Sequence, residues 1–294
     1  MAKYEIENFY KSENELGEGP IWVEEHNSIY WVDIKKFHIY KIDISTKKLK
    51  SWKFNESISC LAHIKNNEFV AGTKSGFQFV DLDTNKLIKI FNPEKNIITN
   101  RFNDGKCDQK GNFYAGTMND VDNKPTGKFY ILDNYLKLKI FDSGYEVTNG
   151  PAFTLDYKKI YFTSTRERKI FISDLDFKGN MVNKRLFIKI PDEEGKPDGM
   201  TIDSRGNLWV ALFGGGCLNC YNNKGKKINT IFLPVSCPTS CVFGGKNLDE
   251  LYVTSASFRL TKKEKIEEKL AGNLFRIKME TKGLKTNKFV NLSK

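Results

Sequence analysis

The chain has 294 residues, 39% of them hydrophobic and 28% charged, with a formal net charge of +11. This balance suits a globular protein with a sizeable core and excludes a disordered or fibrous chain. No run approaches the roughly 18 uninterrupted apolar residues that a membrane helix needs, so no membrane partner is expected. Basic residues are spread along the chain, so the excess charge reads as a lysine-rich solvated surface with no nucleic-acid partner. The opening MAKYEIENFY lacks a basic stretch followed by an apolar one. No secretory signal is therefore expected, and a cytoplasmic location with reduced thiols follows.

In chain order, residues 4–11 form a short alternating segment that stands ahead of a repeat. The repeat is a short apolar strand behind a polar turn. It occurs as IYWVD from Ile29, FVAGT from Phe69, FYAGT from Phe113, IYFTS from Ile160, LWVAL from Leu208 and LYVTS from Leu251. The spacings between these starts are 40, 44, 47, 48 and 43 residues. Polar turns such as DQKGN and DSRGN between alternating apolar runs are hairpin signals. A unit of this length holds four short strands, and radial repetition of four-stranded units is a β-propeller. The expectation is an all-β, six-bladed propeller of four-stranded antiparallel blades, forming a single domain over residues 1–294. The N-terminal segment is expected to close the ring as the outer strand of the last blade. A seven-bladed WD-type propeller is the alternative, but its Gly-His and Trp-Asp punctuation is absent. The one helix candidate is the charged stretch at residues 262–270.

An acidic or amide residue beside a glycine recurs just ahead of these hairpins. Glu18 of EGPIW and Asn149 of NGPAF stand 11 residues before Ile29 and Ile160; Asn103 of NDGKCD and Asp198 of DGMTID stand 10 before Phe113 and Leu208. Weaker copies lie near Ser59 and Ser240. One Asp-Gly or Asn-Gly is an ordinary turn; four at matched offsets, one of them a glutamate, predict a site. Equivalent places in different blades lie on a ring about the propeller axis. Carboxylate and amide oxygens converging there suit a hard divalent cation, and carboxylates facing each other without one would repel. His26, His38 and His63 fall elsewhere and read as turn or surface residues. Cys217, Cys220, Cys237 and Cys241 have loose zinc-like spacing, but CLNCYN reads as a strand in which positions three apart face opposite sides, and no zinc site is expected.

The phrases LGEGPIW, RFNDGKCDQKGNFYAGTM, NGPAFTLD, PDGMTIDSRGNLWVA and FGGKNLDELYVTSA together resemble the regucalcin / senescence marker protein / gluconolactonase family, over nearly the whole chain. The resemblance implies the same six-bladed fold. It implies Glu18, Asn149 and Asp198 as ligands of one divalent cation (Ca, Mg, Mn or Zn), Arg101 and Asn103 as substrate contacts, and Asp198 as catalytic base. The chain departs from the family pattern at Asn119, Asp120 and Val121, where two acidic residues often follow GTM, and at Ser164, where many relatives are acidic.

The activity expected from these residues is a divalent-metal-dependent, gluconolactonase-like lactonase. The cation would polarise the lactone carbonyl and activate a bound water, and Asp198 would take the water's proton. Arg101 would hold substrate oxygens through its planar donor fork. Two alternatives use the same residues: a Ca-binding regulatory propeller with little catalysis, and a hydrolase of organophosphates or other esters. The expected partner is a small-molecule lactone, and the expected assembly a monomer or weak dimer.

Overall fold

The computed structural model describes residues 4–177 and 179–293. Among them are six four-stranded antiparallel sheets, which are the six blades of a propeller. Five sheets take four consecutive strands. The sixth pairs Pro238–Gly244, Glu250–Ser255 and Leu274–Lys278 with the N-terminal strand Ile6–Tyr10 on its outer edge. The predicted closure is therefore present. The register Glu7↔Arg276 sets an ion pair across that seam, with Arg276 Nε donating to Glu7 Oε2 at 2.8 Å.

The chain divides into two compact units, each holding three sheets. One comprises residues 1–53 and 190–286, the other residues 54–189 and 287–294. In the first unit, Trp22, Trp31, Phe9 and Tyr252 gather in one apolar cluster, and Trp209, Leu218, Phe243 and Phe275 in another. In the second, Phe77, Phe102, Phe113 and Phe289 form one cluster, and Tyr114, Phe129, Phe153 and Phe162 another.

The six repeated segments of the sequence are the second strands of the six sheets: Ser28–Asp33, Glu68–Thr73, Phe113–Asn119, Lys159–Ser164, Leu208–Phe213 and Glu250–Ser255. They are buried almost throughout. A strand covered on both faces reads as a continuous apolar run, which is why they stood out. The fourth strands are the reverse. Leu49–Lys53, Lys86–Phe91 and Lys227–Phe232 are mostly exposed and carry Lys50, Lys53, Lys86, Lys89 and Lys227. Part of the surplus positive charge thus sits on outer edges.

The turn between first and second strand has a repeated mechanism. Asp108 Oδ1 accepts from the backbone N–H groups of Lys110 and Asn112, and Asp203 Oδ1 from those of Arg205 and Asn207. The D-x-x-G-N turn is therefore an aspartate folding its own backbone back on itself. Gly111 and Gly206, at φ 81° and 80°, supply the left-handed residue such a turn needs. The predicted helix is one short segment, Lys262–Glu267, started by a capping box between Thr261 and Glu264.

One reading of the histidines is corrected. His63 is buried, not superficial; it lies on the strand Ile58–Lys65, against the ring of Phe69, and its Nε2 bonds the carbonyl of Asn66.

Two substitutions test this packing. A β-carbon at Gly116 would meet Thr148 Oγ1 at 2.3 Å and Thr148 Cβ at 2.6 Å. Gly116→Ala is expected to cost about 1–3 kcal/mol, read as a lower urea midpoint. Asp203 also accepts from Trp209 Nε1 and Asn207 Nδ2, so Asp203→Ala strands one buried donor and three partly buried ones. A loss of at least about 3 kcal/mol is expected in the same measurement.

Candidate functional site

The acidic-Gly phrase has a structural cause. Every first strand carries a register shift where the phrase falls: between Glu18 and Ile21, Ile58 and Cys60, Phe102 and Gly105, Asn149 and Ala152, Pro197 and Met200, and Pro238 and Ser240. In each case one extra residue is inserted on the first strand. Such a β-bulge bends the strand and re-aims its side chains. The fourth residue of each repeated segment, counted from Ile29, Phe69, Phe113, Ile160, Leu208 and Leu251, marks the place. Glu18 pairs directly with Val32, and Asn149 with Thr163. Asn103 and Asp198 open two-residue bulges facing Gly116 and Ala211. Ser59 and Thr239 open the bulges facing Gly72 and Thr254. Six sheets thus offer six residues in one equivalent slot, and all six are polar and buried.

In the unit holding residues 54–189, three of the expected site residues meet. Arg101, buried on the strand Asn100–Cys107, donates from Nε to Asp120 Oδ1 at 2.9 Å, and from one terminal nitrogen to the Phe102 carbonyl and to Asn103 Oδ1 at 2.8 and 2.7 Å. Asn103 Nδ2 passes the network to the next sheet, donating to the Thr148 carbonyl at 2.7 Å and to Asn149 Oδ1 at 3.0 Å. Asn149 Nδ2 donates in turn to Thr165 Oγ1. The result is a rigid chain of oriented dipoles ending on a guanidinium that is itself held by a carboxylate. Asp120, one of the departures from the family pattern, has become the partner of Arg101, while Val121 beside it is exposed. Ser164, the other departure, is buried at the end of Lys159–Ser164.

Asp104, next to Asn103, faces the same neighbouring sheet with a different task. Its Oδ1 accepts from Gly105 N–H and its Oδ2 from Gly150 N–H at 2.7 and 2.9 Å. Burial pushes its carboxyl above the ordinary aspartate value, against the pull of Lys106 and of those two N–H groups. The sequence placed Asn103 and Asp104 together in one motif but did not separate their roles. A second buried carboxylate, Glu94, accepts from Asn100 Nδ2, Thr117 Oγ1 and Tyr130 Oη. It lies in the loop ahead of Asn100–Cys107, as Glu56 and Glu194 lie ahead of Ile58–Lys65 and Lys196–Ile202 and accept from Gln78 and Asn219; none of the three falls in the repeated strands and turns that the sequence displays.

In the unit holding residues 1–53 and 190–286, Glu18 lies buried on Gly17–Val23, and its Oε2 accepts from Gly19 N–H at 2.8 Å. Asp198 is buried on Lys196–Ile202. Gly199 beside it has no room for a side chain, since a β-carbon there would meet Ser240 Oγ at 2.1 Å. Thr239, in the equivalent slot of the next sheet, donates to the Gly17 carbonyl at 2.5 Å.

The family matching residues 16–257 is the SMP-30/gluconolactonase/LRE-like region. The chain belongs to this family. Among relatives of this SMP-30/gluconolactonase/LRE-like protein, regucalcin of Xenopus laevis is 32% identical over 285 residues, covering 94% of this chain and 95% of its own. The luciferin-regenerating enzyme superposes with a TM-score of 0.91 at 31% identity, covering 99% of this chain and 100% of its own. Regucalcin of Agrobacterium tumefaciens, a calcium-binding protein, shares the fold with a TM-score of 0.92 at 23% identity, covering 96% of each chain.

The expectations that required a divalent cation are corrected. Among the described residues, no group of three or more His, Cys, Asp or Glu side chains could hold a metal ion. The expected donor set has only two carboxylates, Glu18 and Asp198. Its third member, Asn149, is an amide whose oxygen already accepts from Asn103 and whose nitrogen is engaged by Thr165. This set does not fit the cation, and with it fall the metal-bound water, the metal-dependent lactonase and the metal-binding hydrolase assignment.

The Asp104 clamp has a signature in pH. A carboxyl raised above its ordinary value adds stability while protonated, and that contribution is lost as pH rises through the raised value. Asp104→Asn lacks this dependence. The thermal midpoint of the variant is expected to gain on that of the wild type as pH rises from below the ordinary aspartate range to neutrality, measured by circular dichroism across that interval.

Proposed function

We propose that the chain is a binding propeller that takes a small, oxygen-rich molecule, such as a sugar acid or its lactone, with little or no turnover. The observation that carries this reading is the Arg101–Asn103–Asn149 network. A buried guanidinium fixed by Asp120, Phe102 and Asn103 is a pre-organised donor for a carbonyl or carboxylate oxygen. Asn103, on the same strand as Arg101, and Asn149, on the adjoining sheet, fix its orientation through their hydrogen-bond chain. Regulation of a partner through ligand occupancy, rather than chemistry on the ligand, is the role this arrangement suits.

A cytoplasmic setting is supported by six buried cysteine thiols and by the lack, among the described residues, of any helix long and apolar enough to cross a membrane. We assign a monomer or weak dimer, since charged outer strands disfavour edge-to-edge association.

The test is calorimetric titration of the full chain with D-gluconate and with D-glucono-1,5-lactone, alongside pH-stat measurement of lactone hydrolysis. Binding is expected, with hydrolysis no faster than the spontaneous rate. Arg101→Met removes a charged hydrogen-bond donor worth about 1.5–3 kcal/mol and is expected to weaken binding roughly 10- to 150-fold. Absence of binding to both compounds, or hydrolysis well above background, overturns the reading.

A further inference from the structure

The hydrogen-bond network around Arg101 does not stop at Asn149; it returns to Arg101. Asn149 Nδ2 donates to Thr165 Oγ1, just beyond the strand Lys159–Ser164. The next residue, Arg166, stands at the corner of a turn closed by the Arg168 N–H on the Thr165 carbonyl. From that corner one terminal nitrogen of its guanidinium donates to Asn123 Oδ1 at 2.9 Å. Asn123 lies three residues after Asp120, on the loop that follows Phe113–Asn119, and Asp120 is the carboxylate that holds Arg101. Arg101 bonds Asn103, and Asn103 bonds Asn149. Two adjoining sheets are thus joined by two polar links, Asn103 to Asn149 and Asn123 to Arg166, and the Arg101–Asp120 pair completes a closed circuit.

The circuit is small. Three residues span at most about 11 Å when fully extended. Here the loop is folded, because Asn119 Oδ1 accepts from the N–H groups of Val121 and Asp122. Two guanidinium groups from two sheets are therefore tethered to one tight loop.

The two arginines differ in charge balance and in access. Arg101 is buried, and Asp120 matches its charge. Arg166 is half-buried and donates to a neutral amide; among the described residues no carboxylate pairs with it. The acidic neighbours on its own turn and on the loop are engaged elsewhere, Glu167 with Lys169 and Asp122 with Lys124. Two guanidinium groups and one carboxylate leave the circuit with one uncompensated positive charge, and it sits on the accessible arginine. Linking Asn123 to the neighbouring sheet requires a donor but no charge. A guanidinium with further N–H groups to offer adds a planar fork that matches a carboxylate.

We propose that Arg166 is a specificity-determining residue: its guanidinium pairs with a carboxylate of the bound small molecule, so that the site prefers an open-chain hydroxy acid to the corresponding neutral lactone. This rests on the binding role proposed above. Arg101 takes an oxygen of a kind that both forms possess, whereas Arg166 reads the charge that only the acid carries.

The experiment measures calorimetric affinity of the full chain for D-gluconate and for freshly dissolved D-glucono-1,5-lactone, in wild type, Arg166→Gln and Asn123→Ala. Wild type is expected to favour gluconate. Arg166→Gln is expected to lose roughly 5- to 10-fold in affinity for gluconate and no more than about twofold for the lactone. Asn123→Ala removes the amide partner but leaves the charge, and is expected to keep the wild-type preference. Equal losses for both compounds in Arg166→Gln overturn the proposal, because they mean that the arginine only positions the loop. Unchanged gluconate affinity in that variant also overturns it, while the binding role stands. Failure of wild type to bind either compound overturns the binding role itself, and this proposal with it.

Discussion

The inserted residue in each first strand is the constraint on which the rest of the molecule depends. A regular strand turns alternate side chains to opposite faces. Six buried strands built that way would present only apolar residues to their neighbours. The bulge breaks the alternation once per sheet, at the same register position each time, and there the chain can bury a polar side chain and direct it across to the next sheet. Asn103 and Asp104 show both results side by side: one joins a network leading to Arg101, and the other fastens the backbone of Gly150. Without the extra residue, neither could leave the plane of its own sheet.

This accounts for what could be read from the amino-acid order. The second strands were visible because burial on both faces forces a continuous apolar run, and the turns before them because Asp108 and Asp203 need their particular spacing to fold the backbone back. The slots were visible at four of six places, where Glu18, Asn149 and Asp198 stand beside glycine and Asn103 stands one residue from it. The places near Ser59 and Ser240 were legible only as weak copies, and at the second the slot falls on Thr239 instead, because serine and threonine next to apolar residues look like any strand and bulges leave no mark in composition. Asp120 was legible as a departure from a pattern, but its pairing with Arg101 depends on a strand end and a loop coming together, which spacing does not encode.

The error over the cation has a physical root as well. Oxygen donors at matched offsets point to an ion as long as mutual repulsion between carboxylates has no other relief. The structure shows another way to stabilise such groups. Glu18 takes its own neighbour's N–H, and Asn149 is engaged on both ends of its amide. Backbone donors exposed by a bulge do for these side chains part of what a metal would do. His63 was misplaced for a related reason: a histidine inside a strand can satisfy one nitrogen on the nearby turn at Asn66 and pack its ring on Phe69, so polarity alone did not reveal its burial.

The lysines of the outer strands bear on how the protein behaves in a crowded solution. An outer strand offers a row of unpaired backbone groups, and several here also expose aliphatic or aromatic residues, among them Ile88, Phe91 and Phe232. Left neutral, such borders would zip onto copies of themselves. Lys86 and Lys89, on the same strand as Ile88 and Phe91, make any such encounter a meeting of like charges, so lysines that contribute to the high isoelectric point act as gatekeepers against fibrils.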